Sequence, residues 1–109
     1  MMSAVTETVT LDPPVNVAEL DLATVLQALS DPIRLRIVSE LADGQERCCG
    51  AFELPITKST CSHHFRVLRE AGVIATRSDG KNRLNMLRRE ALEARFPGLL
   101  DAIFSAQSV

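Results

Sequence analysis

The stretch Ile56-Thr57-Lys58-Ser59-Thr60-Cys61-Ser62-His63-His64-Phe65-Arg66-Val67-Leu68-Arg69-Glu70-Ala71-Gly72 decides how the chain is read. It has the marks of one short helix over 58–71, with a start and a stop. The Thr57 hydroxyl is placed to accept from a free N–H of the first turn, and Gly72 suits the left-handed residue that closes a helix. Cys61, Phe65 and Leu68 fall at i, i+4 and i+7 and make one apolar stripe. Lys58, Ser59, Ser62, His63, Arg66 and Arg69 are left mostly on the other faces. Such a helix packs by one side and offers hydrogen-bond donors to something acidic on the other.

Working outward, Leu22, Val25, Leu26 and Leu29 repeat at helical spacing and predict a first helix of about 17–29. Ser30-Asp31-Pro32 stops it, and Asp31 caps a second helix with Pro32 at its first position. Ile33, Ile37 and Leu41 line one side of that helix, Arg34 and Arg36 lie on its outer faces, and Asp43-Gly44 ends it. Residues 45–55 read as a turn or two of helix terminated by Pro55. After Gly72 the period changes. Val73–Arg77 is rich in β-branched residues, Asp79-Gly80 is a hairpin turn, and Arg83–Leu87 alternates. Leu92, Phe96, Leu99, Leu100, Ile103 and Phe104 then resume a helical stripe that Pro97 restarts or kinks. The polar start, ending in Asp12-Pro13-Pro14, reads as a mobile arm over 1–16, which leaves 17–106 as the folded domain.

The chain has 109 residues, enough for one modest core, and with no Trp or Tyr that core must be largely aliphatic. No apolar run approaches the roughly 20 residues of a membrane span, and no basic-then-apolar leader opens the sequence, so the expected location is the cytoplasm. Three cysteines, an odd count, then argue for free thiols rather than a disulfide framework. The net charge of −2 hides an asymmetry. Residues 1–55 hold three basic side chains against nine acidic ones, whereas 56–95 hold nine basic against four acidic. A basic second half points to a polyanionic partner.

Helix, helix, short helix, turn, helix and hairpin make a mainly α fold with a β-hairpin wing, a winged helix-turn-helix. A helix fits the major groove of DNA, and its N-terminal side chains reach base edges. Lys58, Ser59, Thr60, Ser62 and His63 occupy that half, Arg66 and Arg69 lie further along toward phosphates, and Arg77, Lys81 and Arg83 bring the hairpin to the backbone. Ala28-Leu29-Ser30-Asp31-Pro32-Ile33-Arg34-Leu35-Arg36-Ile37 followed by Ser62-His63-His64-Phe65-Arg66-Val67-Leu68-Arg69-Glu70-Ala71-Gly72-Val73-Ile74 resembles the ArsR/SmtB family of winged-helix repressors. The resemblance spans roughly residues 18–104. It implies a homodimer that occupies a double-stranded DNA operator and is released by a metal, a metalloid or an oxidant. It also implies that the first and last helices build the dimer. The rival expectation is a helical module whose basic face docks an acidic protein.

Cys48-Cys49-Gly50 stands where founding members of that family carry a Cys-x-Cys metal box, and the last helix lacks the Asp/His pairs of other members. The thiols keep three readings: space-filling core residues, a soft-metal or metalloid site at Cys48 and Cys49 with Cys61 approaching, or a redox pair. His63 and His64 diverge by about 100° on a helix and cannot readily share one ion. His63 is expected to face DNA and His64 to be partly packed. Ser62 beside a histidine has no acid to orient it, so no catalytic site is expected.

Overall fold

Asp31 and Thr57 set where the two central helices begin. The Asp31 carboxylate accepts from the backbone N–H of Ile33 at 2.9 Å and of Arg34 at 3.1 Å, and the Thr57 hydroxyl accepts from Thr60 N–H at 3.2 Å. Both caps satisfy first-turn donors that would otherwise lack partners. The computed structural model describes residues 15–107. The expected arm therefore lies outside the described residues, apart from Val15 and Asn16.

The helices are α1 (Leu22–Ala28), α2 (Pro32–Glu40), α3 (Lys58–Glu70), α4 (Arg89–Arg95) and α5 (Leu99–Gln107). The strands are β1 (Arg47–Cys48), β2 (Ile74–Asp79) and β3 (Asn82–Leu87), ordered β1-β3-β2 in one antiparallel sheet. The long first helix expected over 17–29 is shorter than that. Val17–Glu19 forms a 3-10 turn, Leu20 turns inward at 1% exposure, and Asp21 caps α1 by accepting from Thr24 N–H at 3.0 Å. An acidic cap in mid-stripe outweighs apolar periodicity there. The last helical stripe also divides. Gly98, at φ +85, follows Pro97, and its N–H is held by the Glu93 carboxylate at 3.1 Å.

Residues 45–55 contain what the sequence reading missed. They hold β1 and a 3-10 turn, Cys49–Ala51. A two-residue strand has no alternation to detect. What holds it is Asn85 on β3, 1% exposed. Its amide nitrogen donates to the Arg47 carbonyl at 3.2 Å, and its amide oxygen accepts from the Thr76 hydroxyl at 2.8 Å. One buried amide thus ties all three strands. The loop before β1 is tied separately. Both Glu46 carboxylate oxygens accept from Arg77 of β2, at 2.6 and 2.7 Å. The hairpin loop is Gly80-Lys81, because Asp79 pairs with Asn82 and Gly80 supplies the positive φ of +62.

The core is aliphatic apart from Phe52 and Phe65, whose rings meet edge-on at 5.3 Å. Phe65 and Leu68 seat α3 on it, and Ile37, Val38 and Leu41 do the same for α2. Arg34 departs from expectation. Instead of an outer face it turns inward, donating from Nε to the Ala28 carbonyl at 2.6 Å and from Nη1 to His64 Nδ1 at 3.0 Å. Guanidinium has only donors, so His64 Nδ1 is the acceptor and the ring proton sits on Nε2. Asp31 Oδ2 stands 3.8 Å from His64 Nδ1.

Replacing Asn85 by Leu should lower stability by about 1–3 kcal/mol, because Thr76 and Arg47 each lose a buried partner. Urea unfolding measures this, and an unchanged midpoint would show that the amide does not hold the sheet. The Arg77 guanidinium keeps the Glu46 carboxyl below its usual value of 4.5. A lowered folded value means stabilisation that is full above pH 4.5 and fades as pH falls through the folded value. Arg77→Ala should therefore cost only a little stability near neutrality, since water screens a part-exposed pair. That cost should shrink in acid, read as unfolding free energy against pH.

Candidate nucleic-acid interface

Because Phe65, Leu68 and His64 face inward, the opposite side of α3 is left in solvent. Lys58, Ser59, Thr60, Ser62, His63 and Arg66 are all exposed, and they run along the N-terminal two-thirds of the helix. The cap orders part of this face as well. The Thr57 hydroxyl donates to Thr60 Oγ1 at 2.9 Å and lies 3.3 Å from Ser59 Oγ. The N-terminal end of a helix carries partial positive charge, and here Lys58 adds a full one.

The wing is folded against this helix. Ser62, Arg66 and Arg69 of α3 and Arg83 of β3 line one cleft of about 90 Å3, floored by Asn85 and Cys49. Arg69 is half-buried, and Lys81 and Arg83 are exposed at and beside the hairpin tip. Thus nine of the ten residues expected to meet DNA fall on α3 or on the loop end of the wing: Lys58, Ser59, Thr60, Ser62, His63, Arg66, Arg69, Lys81 and Arg83. The exception is Arg77. Its guanidinium is occupied by Glu46 and it serves the sheet.

The two histidines separate as helical geometry requires. Their ring centroids are 5.7 Å apart with planes tilted by 56°. His63 is exposed, while His64, 9% exposed, takes the Arg34 hydrogen bond. The packed His64 was expected, but its pairing with Arg34, which positions it, is what sequence reasoning missed. A signal was present, since a cation in the first turn of a helix opposes the helix dipole and needs a specific partner.

The thiols regroup. Cys48 lies on β1 opposite Leu84, whereas Cys49 and Cys61 line one cavity behind the start of α3. Burial, and secondarily the charge of Cys49, pushes the Cys61 thiol up from its usual range. Cys61 is half-buried rather than sealed in the core. Among the described residues no three His, Cys, Asp or Glu side chains converge to hold a metal ion. The described residues therefore offer no ready-made three-ligand site for the metal that the resemblance implies. No helix among the described residues is long and apolar enough to cross a membrane.

Comparison with known proteins agrees with this arrangement. The family model for bacterial regulatory proteins of the arsR family matches residues 31–76, from the Asp31 cap through α3 into β2. The HTH-type transcriptional regulator YceK of Bacillus subtilis is 39% identical over 84 residues, covering 74% of this chain and 84% of that protein. The arsenical resistance operon repressor of Staphylococcus xylosus is 34% identical, covering 67% of this chain and 71% of that repressor. Among solved structures, the transcriptional repressor BigR from Xylella fastidiosa superposes with a TM-score of 0.62 at 32% identity, covering 78% of this chain and 84% of that one. Matched by this family model and by these relatives, the chain belongs to the arsR family of bacterial regulatory proteins.

Proposed function

We propose that the protein is a homodimeric repressor that occupies a double-stranded operator, with α3 in the major groove and the wing on the flanking backbone. The observation that carries this reading is the two-sided character of α3. Phe65 and Leu68 are locked in the core while Lys58, Ser59, Thr60, Ser62, His63 and Arg66 are exposed along one run. Ser62, His63 and Arg66 would read base edges, and Lys58, Lys81 and Arg83 would neutralise phosphates. Two copies are needed because a single short helix meets too few base pairs. The exposed apolar side chains of α1 supply a dimer surface: Leu22 is 46% exposed and Leu26 is 45% exposed, one helical turn apart. Leu99, Ile103 and Phe104 of α5 are only partly covered by the core and would extend that surface. Release by an inducer that acts on thiols fits Cys49 and Cys61, which share a cavity under α3, better than the adjacent pair Cys48 and Cys49.

Selection of bound duplexes from a random pool, followed by fluorescence anisotropy, tests the reading. Arg66→Ala, and the double change of Ser62 and His63 to Ala, should each weaken the selected operator about 10- to 100-fold, the range for lost base contacts. Lys81→Ala should weaken all duplexes alike and reduce the salt slope by about one. A basic face that instead docks an acidic protein would show no preference among duplexes of equal length. Changing Leu22 and Leu26 together to Glu should yield monomers in sedimentation and lose operator binding in parallel, with helical content retained. A dimer that survives this double change would place the interface elsewhere.

A further inference from the structure

Behind the first turn of α3 lies a cavity of about 430 Å3. Phe52, Leu54 and Ile56 give it an apolar wall, Cys49 and Cys61 both open into it, and the exposed Lys58 lines its edge. The space is that of an organic molecule, since ligand cavities begin at about 300 Å3, and it far exceeds what one ion needs. The Cys49 sulfur is held in place. Asn85 Nδ2, from a side chain 1% exposed, donates to Cys49 Sγ at 3.7 Å. Cys48, one residue earlier, belongs to β1 and does not line this space. Cys61, pushed up by burial, retains its proton at neutral pH.

We propose that this cavity is a covalent receptor for a small apolar electrophile of the α,β-unsaturated carbonyl class, with Cys49 as nucleophile and Cys61 as proton donor. The sulfur of ionised Cys49 forms a C–S bond at the β-carbon. The π pair of the C=C bond moves toward the carbonyl, and the enolate takes the Cys61 proton at the α-carbon. Cys61 regains a proton from solvent, which had received the one lost by Cys49. The net change is addition of a thiol across a double bond, with no oxidant and no leaving group. Lys58, at the cavity edge, places its ammonium near the transient enolate oxygen. Two residues belong to both surfaces: Lys58 and Ser62 line the cavity and also face the operator. An adduct under the first turn of α3 therefore disturbs the reading face, so the proposal rests on the operator-binding reading.

The test treats the full chain with ethyl vinyl ketone, and in parallel with diethyl ketone, which enters the cavity but cannot add. Peptide mapping should place one adduct at Cys49, formed about tenfold or more faster than at Cys48, the preference expected of a thiol in a distinct microenvironment. Operator affinity should fall about tenfold or more with the unsaturated ketone, as ligand-coupled DNA release requires, and stay constant with the saturated one. Cys49→Ser should bind operator normally, form no adduct and resist the ketone. Cys48→Ser should behave as the parent, and Cys61→Ser should add more slowly. Equal labelling of Cys48 and Cys49 would overturn the proposal, as would a Cys49 adduct that leaves operator affinity unchanged. If the untreated chain selects no duplex, the repressor reading fails. The mapping then still judges the cavity on its own.

Discussion

The Arg34 guanidinium holds together three parts of the chain that the backbone alone would leave independent. It takes the carbonyl that ends α1, belongs to the first turn of α2, and donates to the ring in the middle of α3. A cation at that end of a helix works against the dipole. It is held there by the Ala28 carbonyl and His64, while the Asp31 cap takes the backbone N–H of the same residue. The roll of α3 about its own axis decides which side chains face outward. An arginine on another helix helps to fix that roll, together with the apolar contacts of Phe65 and Leu68 beneath it.

Much of this was legible before any coordinates. Asp31-Pro32 and Thr57 announced their helices because capping is local chemistry, readable from one residue and its neighbours. Gly72 and Gly80 marked their turns for the same reason, and both adopt positive φ, +86 and +62. The basic, hydroxyl-bearing face of α3 followed from spacing alone. What escaped reading depends on partners distant in sequence. Asn85 joins β1, and Glu46 captures Arg77, across 31 residues or more. Nothing near those residues records the pairing. Cys49 and Cys61 line one cavity although they are not neighbours in the chain, a grouping that sequence adjacency does not record. The break at Asp21 shows the opposite limit, in which two valid local signals conflicted and the cap prevailed.

The charge asymmetry also resolves into parts with different work. Arg77 answers Glu46, Arg88 donates to the Gly72 carbonyl at 3.2 Å, and Arg89 donates to the Ala42 carbonyl while lying 5.5 Å from the centre of the Phe104 ring. These cations fasten the sheet and the C-terminal helices. Lys58 and Arg66 remain exposed on α3, and Lys81 and Arg83 remain exposed at the hairpin tip. A chain with a net charge of −2 can thus present a locally positive surface, because its basic side chains are concentrated in residues 56–95. The field that a polyanion meets is local, and total charge says little about it.

Gly72 and Gly80 stand at the two ends of the wing's first strand, and they have opposite surroundings. A Cβ at Gly72 would overlap Leu20 Cδ2 and come within 3.2 Å of Arg88 Nη1 and Val15 Cβ. A Cβ at Gly80 would meet nothing within 4 Å. The root of the wing is therefore a fixed joint, built into the core, while its tip opens onto empty space. Chains built on this plan are free to lengthen or recharge the hairpin outward, but the angle at which it leaves α3 is not theirs to vary. Variation is left to side chains on a rigid frame, or to growth at the far end of it.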